Sequence, residues 1–373
     1  MAAGSVTGTI FKVTTWGESH GKAIGVVVDG CPAGLSLCEA DIQAVLDRRR
    51  PGQNRFATQR KEGDEVELLS GVFEGKTTGT PVSMLVWNKD QRSKDYSQIA
   101  SCYRPGHADY TFDRKFGFRD YRGGGRSSAR ETIGRVAAGA VAKKLLKELG
   151  ITVCAYVQSI GPVSVDLARF DLQEAGNNTL CMPDAAAASA AAEFLEAKMA
   201  ERDSVGGVVE CVLSGLPAGL GEPVFEKLDA ALAKAILSIG AVKGFEIGDG
   251  FHASRAAGSE NNDAFIAGAD GKIRKATNHS GGVLGGLSDG SDVIFRAAFK
   301  PTPSIAKPQA TVNTDGENIN LEIHGRHDPI VAVRAAVVVE AMAALVAADL
   351  LLLSMTARLD RIKTFFQTRE ETK

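Results

Sequence analysis

Residues 123–131 read GGGRSSARE. Three glycines free the backbone to approach a ligand. Arg126 adds a fixed positive charge, and Ser128 with Glu131 has the spacing of a helix capping box. Apolar residues then recur at helical steps from Ile133 through Val136, Val141 and Leu145 to Leu149, and Gly150 stops the run. A glycine loop that feeds a helix N-terminus offers free N–H groups and a positive dipole end to an anion. Carriers for a proton near neutral pH are few. Of six histidines, four stand in loop contexts: His20 in GESHG, His107 in RPGHAD, His279 in NHSGG and His327 in GRHDP. Imidazole is the side chain whose proton moves in that range, and loops display function. For any one of them alone, a structural role is the alternative.

Arginine is concentrated in two places. Residues 48–61 hold Arg48, Arg49, Arg50, Arg55, Arg60 and Lys61 with no acidic residue, and residues 104–135 hold seven arginines. The net charge of the 373 residues is only −2, so no global field draws the chain to nucleic acid or a membrane. Dense arginine on a neutral background points to a pocket for a small molecule with several negative charges; solvated arginines on an exposed face are the other reading. The usual nucleotide fingerprints are missing. GVFEGKT, from Gly71 to Thr77, is one residue short of a P-loop, and glycines 281, 282, 285 and 286 are misspaced for a dinucleotide turn. GESHG lies between strands and not on a strand-to-helix elbow. No spacing suits a metal, so metal catalysis is not expected. Lys300-Pro301-Thr302-Pro303-Ser304 is a stiff turn that could cradle a ring or phosphate, or be a simple loop.

These residues need a scaffold. Residues 8–16 and 23–29 read as strands, and Ser36 to Glu39 as a second capping box opening a helix with Ile42, Val45 and Leu46 on one face. Arg48–Arg50 suit its last turn, and Pro51-Gly52 stops it. Residues 65–73 and 81–87 read as a strand pair around the Gly75–Gly79 turn, 184–202 as a helical surface excursion, 206–214 as a strand and 222–238 as a helix. The apolar run from 331 to 353 contains Arg334, Glu340 and Asp349, which suits a buried helix and not a membrane span. DGCPAGL at 29–35 and SGLPAGL at 214–220 each follow a strand and precede a helix, as an internal duplication or a common turn would. One mixed α/β domain over 1–355, with interwoven halves and a polar tail over 356–373 that frays, is expected. Six cysteines form no CxxC pair, and MAAGSVTGTIFKV carries no secretory pattern, so free thiols in the cytoplasm are expected.

In combination these strings resemble the chorismate synthase family. GESHG at 17–21, DRRRPGQ at 47–53, RPGHADYT at 104–111, GGGRSSARET at 123–132, DSVGG at 203–207, KGFEIGDG at 243–250, NHSGGVLGG at 278–286, KPTPSI at 300–305 and GRHDP at 325–329 follow that family's segments in its order. The resemblance implies an α+β fold, a β-α-β sandwich with a helical layer between antiparallel sheets and a pseudo-duplicated core. It implies a 1,4-anti elimination of phosphate from 5-enolpyruvylshikimate-3-phosphate, giving chorismate, with reduced FMN required although no net oxidation occurs. By the match, Arg49, Arg55 and Arg130 hold substrate anions, and Arg49 and Arg55 also meet NADPH in members that use it. Arg126, Ser127, Ser128, Gly240, Ala241, Gly285, Lys300, Pro301, Thr302, Pro303, Ser304 and Arg326 make the flavin site. His20 donates a proton to the departing phosphate, and His107 keeps reduced flavin protonated. Asp349 and Ser19 form a proton relay. The family's members are homotetramers whose partner is a small-molecule substrate, not nucleic acid or a membrane.

Overall fold

The structure is a computed structural model that describes residues 4–52, 55–56, 63–89, 99–268, 271–323 and 328–367. Two antiparallel five-stranded sheets enclose a layer of helices. The first sheet holds β1 (Val6–Thr7), β2 (Lys12–Gly17), β3 (Ala23–Asp29), β4 (Val66–Ser70) and β5 (Val82–Trp87) in the order β1-β2-β3-β5-β4. The second holds β6 (Thr152–Ile160), β7 (Val163–Ser164), β8 (Gly207–Ser214), β9 (Val242–Ile247) and β10 (Val293–Phe299) in the order β9-β10-β8-β6-β7. The second sheet buries one face, as alternation along β10 shows: Val293, Phe295, Ala297 and Phe299 are buried, and the residues between them are half-buried.

The helices of more than one turn are α1 (Glu39–Arg49), α2 (Asp109–Phe116), α3 (Thr132–Glu148), α4 (Ala185–Ala200), α5 (Leu228–Leu237), α6 (Ala332–Ser354) and α7 (Leu359–Gln367). α3 lies on β2, β3 and β5, α6 lies on β6 and β8, and the two helices pack on each other. α6 is long and apolar enough to cross a membrane, but 72% of its most apolar window is buried inside the protein, which makes it the core helix. Where α3 meets α6 there is no room for a side chain. A Cβ on Gly139 would lie 2.6 Å from the Ala341 Cα. Gly139→Ala, which in an exposed helix gains about 1 kcal/mol from propensity, is therefore expected to destabilise by about 1–3 kcal/mol through overpacking. Urea unfolding checks this; an unchanged or raised midpoint shows that the helices part without cost.

The core is duplicated, and the Pro-Ala-Gly echo marks the duplication. β3 and β8 are the central strands of their sheets, and each runs into a Pro-Ala-Gly-Leu turn held by a hydroxyl from a later hairpin. Thr77 Oγ1 donates to Pro32 O at 2.6 Å and accepts from Leu35 N at 3.0 Å. Ser288 Oγ donates to Pro217 O at 2.6 Å and accepts from Leu220 N at 2.9 Å. The next contact repeats as well: Leu37 N donates to Gly75 O, and Leu228 N to Gly286 O.

Local boundaries differ from the sequence reading for identifiable reasons. Helix α1 is capped at Cys38, whose N–H donates to Asp41, so the box sits two residues beyond Ser36. Ser128 caps only a short 3-10 turn, accepting from Arg130 N, and Glu131 turns to Thr15 and Arg135 instead. Residues 222–226 pair across a tight turn, which delays α5 to Leu228. The polar tail carries a further helix, α7.

Candidate functional site

The GESHG turn joins β2 to β3. Gly17 has φ +91° beside the backbone of Ala23 and Ile24, a conformation other residues rarely adopt. Asn88, just past β5, donates to Glu18 O and Gly21 O and so pins the turn. The loop 123–125 lies over it, with Ser19 N donating to Gly125 O at 3.4 Å. All three loop glycines have positive φ. A Cβ on Gly123 would lie 2.6 Å from His20 Nδ1, and one on Gly124 would lie 3.2 Å from His107 Cε1. Adjacent Cα atoms are about 3.8 Å apart, so two imidazoles from distant segments face neighbouring residues of one loop. His20 is 7% exposed, with Nδ1 3.1 Å from Ser19 Oγ.

His107 is held from the other side. Its Nδ1 lies 2.9 Å from Asp109 Oδ1, and Arg104 pairs with both oxygens of that carboxylate at 2.7 Å. Burial alone would raise the Asp109 carboxyl, but Arg104 and His107 outweigh it and hold it well below the usual carboxylate range. The Lys300–Ser304 loop closes against the same segment. Lys300 Nζ donates to Gly106 O at 2.6 Å, and its backbone N–H donates to Ala241 O at 2.9 Å. Burial, assisted by Lys243, lowers the Lys300 ammonium from its ordinary value. Ser304 is buried, Ser204 donates to Thr302 O, and Thr302 Oγ1 donates to Asp328 O. Lys300 therefore joins Ala241 to Gly106, the residue before His107.

The expected arginines are present but engaged. Arg49 is 2% exposed and donates to Asp64, Ala129 O and Thr132. Arg130 pairs with the other oxygen of Asp64 and with Asn88. Burial would raise the Asp64 carboxyl; the two arginines outweigh it and lower it. Arg126 ties the glycine loop to β2 through Gly17 O, Thr15 and Ser5. Ser127 Oγ donates to Gly124 O. Arg55 is exposed and pairs with Glu196 of α4.

Two expected residues are not brought to this place. Asp349 accepts from the backbone N–H groups of Thr9, Ile10 and Phe11, just before β2 begins. Ser19 follows the other end of β2, about 20 Å away at strand rise, so the Ser19–Asp349 relay does not form within the chain. Gly285 sits in the hairpin beside Leu228, at the start of α5, whereas Ala241 follows its end; ten helical residues, about 15 Å, separate them. Arg326, with His327, lies outside the described residues. Conversely, Asp64, Asn88 and Asp109 were missed. Of these only Asp109 had a signal, standing two residues after His107 in RPGHAD.

The sequence pattern of the family described as "Chorismate synthase" matches residues 11–352. A protein of Agathobacter rectalis named "Chorismate synthase" is 67% identical over 365 residues, covering 98% of this chain and 99% of the relative. One of Cytophaga hutchinsonii with the same name is 54% identical over 355 residues, covering 95% and 99%. A solved structure titled "Crystal Structure of Chorismate Synthase" superposes with a TM-score of 0.75 at 30% identity, covering 97% of this chain and 98% of the other.

Proposed function

Because the chain belongs to the chorismate synthase family, we propose that His20 and His107 divide the proton work of phosphate elimination at the 123–125 loop. The chain is a lyase: it converts 5-enolpyruvylshikimate-3-phosphate to chorismate. What supports the division is that consecutive glycines face the two imidazoles. His20, on the buried side, donates to the departing phosphate, whose developing charge a proton offsets. His107, next to Gly106 and Lys300, holds a proton toward the flavin. Arg49 and Arg130 meet the substrate's anionic groups, for which arginine gives paired donors; Asp64 holds both in place beforehand.

Reduced FMN suits the residues present. A Cβ on Gly125 would meet only Glu18, so the backbone there is open to a ring, and the remaining N–H bonds of Lys300 with the hydroxyl of Ser128 supply donors for a phosphate or a polar ring edge. When bound, the flavin lends electron density to the allylic system and recovers it, so no net redox change results. A cytoplasmic homotetramer completes the proposal; six free thiols and exposed apolar residues such as Phe225 and Phe251 support it.

Anaerobic incubation with substrate and dithionite-reduced FMN tests the reading by chorismate absorbance. Product is expected with reduced FMN and not with oxidised FMN. Equal product without flavin overturns the cofactor assignment.

A further inference from the structure

His107 meets Gly124 with the Cε1–Nε2 edge of its ring, so the opposite nitrogen decides what that edge can do. Nδ1 lies 2.9 Å from Asp109 Oδ1 and also 2.9 Å from Arg104 Nη2. Guanidinium only donates, and a carboxylate only accepts. The two neighbours therefore favour opposite tautomers. Asp109, the first residue of α2, is itself fixed: it accepts from the Arg104 backbone N–H at 3.1 Å, from Arg104 Nε at 2.7 Å and from Arg104 Nη2 at 2.7 Å. Both side chains are 3% exposed. One of the two N–H bonds of Arg104 Nη2 thus already has Oδ1 as its acceptor, while Oδ1 keeps a second lone pair toward the imidazole. Among the described residues, cations flank the pair: Arg119 Nε stands 4.0 Å from the same oxygen, and Lys300 is on Gly106. Asp113, the next carboxylate along α2, is taken by Arg119.

We infer that Asp109 is the positioning residue of His107, accepting from Nδ1–H, fixing the ring plane and leaving Nε2 to take up and return a proton at the glycine loop. Nδ1–H stays on Asp109 in both the neutral and the protonated ring. Transfer at Nε2 then needs no change of tautomer and no ring flip. The consequence for turnover rests on the reading of His107 as proton carrier; the tautomer does not.

The test uses the full chain labelled with [15N]histidine, without flavin or substrate, at about pH 8.5, above the ordinary imidazole range. Long-range proton–nitrogen correlations identify which ring nitrogen carries hydrogen, and His107→Gln assigns the signals. Nδ1–H is expected in the unaltered protein and Nε2–H in Asp109→Ala, where Arg104 remains as the neighbour of Nδ1. An Nε2–H ring in the unaltered protein, or no switch in Asp109→Ala, overturns the inference. Should Asp109→Ala not fold, Arg104→Gln keeps the carboxylate and is expected to retain Nδ1–H; Nε2–H there overturns it too. Asp109→Ala is further expected to lower kcat about tenfold or more, a share of the roughly 10²–10⁴ an acid–base imidazole carries, with KM little changed and partial rescue by Asp109→Glu. A tautomer that switches while turnover stays normal counts against His107 as proton carrier, and one that does not switch counts against Asp109.

Discussion

His107→Ala and His20→Ala are each expected to lower turnover by about 10²–10⁴-fold, the range for loss of a positioned acid or base. Neither imidazole is needed to fill the core: His20 sits beside Ser19 on a turn, and His107 sits on a loop ahead of α2. Both variants should therefore fold, and circular dichroism with a thermal melt separates lost chemistry from lost structure. The two losses should not add. If both groups serve one elimination, removing the second from a protein that already lacks the first costs less than it does alone. Steady-state chorismate formation under reducing, anaerobic conditions measures all three variants. Near-normal turnover in both single variants would remove the imidazoles from the mechanism. Full additivity would place them in separate steps.

Legibility in the sequence followed the range of the interaction. The glycine loop and the two histidines could be found because rare residue types stand in short, unusual strings. The long helices could be found because α3 and α6 repeat apolar residues at helical spacing. The Pro-Ala-Gly echo was visible for the same reason, although the hydroxyls that make it a structural repeat, on Thr77 and Ser288, lie far along the chain. What could not be read was the choice among partners through space. The resemblance assigned Arg49 and Arg130 to substrate anions, and nothing in their sequence neighbourhood shows that Asp64 also sits between them. The resemblance gave Asp349 a place in a proton relay, and a carboxylate in an apolar run is costly unless satisfied; the amides that satisfy it come from residues 9–11, at the opposite end of the chain. Glu131 had capping-box spacing, but Thr15 and Arg135 offered its carboxylate closer donors.

The same logic of partners at a distance gives the largest expected effect on stability. Glu340, in the middle of α6, has a side chain only 2% exposed. Arg48 of α1 donates to its two oxygens at 2.7 and 3.1 Å, Lys143 of α3 donates to Oε1, and the backbone of Ala155 in β6 donates to Oε2. One carboxylate thus joins three helices and a strand. Replacing both cations, as Arg48→Met with Lys143→Met, leaves that carboxylate buried with a single N–H. A stranded buried charge typically costs about 3–5 kcal/mol, and urea unfolding at about pH 7 should show a loss of that order. The pH dependence identifies the cause. In the unaltered protein burial pushes the Glu340 carboxyl up, but Arg48 and Lys143 outweigh it and leave it below its ordinary value. A depressed native value means that its stabilisation is present above the unfolded value, about 4.3, and is lost as the pH falls through the native one. In the double variant burial acts without the cations, so the native value rises above the unfolded one. The penalty is then largest at neutral pH and is relieved as Glu340 takes up a proton, and the gap between the two proteins narrows toward about pH 5. Adding Glu340→Met to the double variant removes the stranded charge altogether, and apolar replacement of a whole buried ion cluster is often neutral. The triple variant should therefore recover most of the lost stability. A double variant as stable as the parent, or a triple variant no more stable than the double, would show that the three helices are held by apolar packing alone.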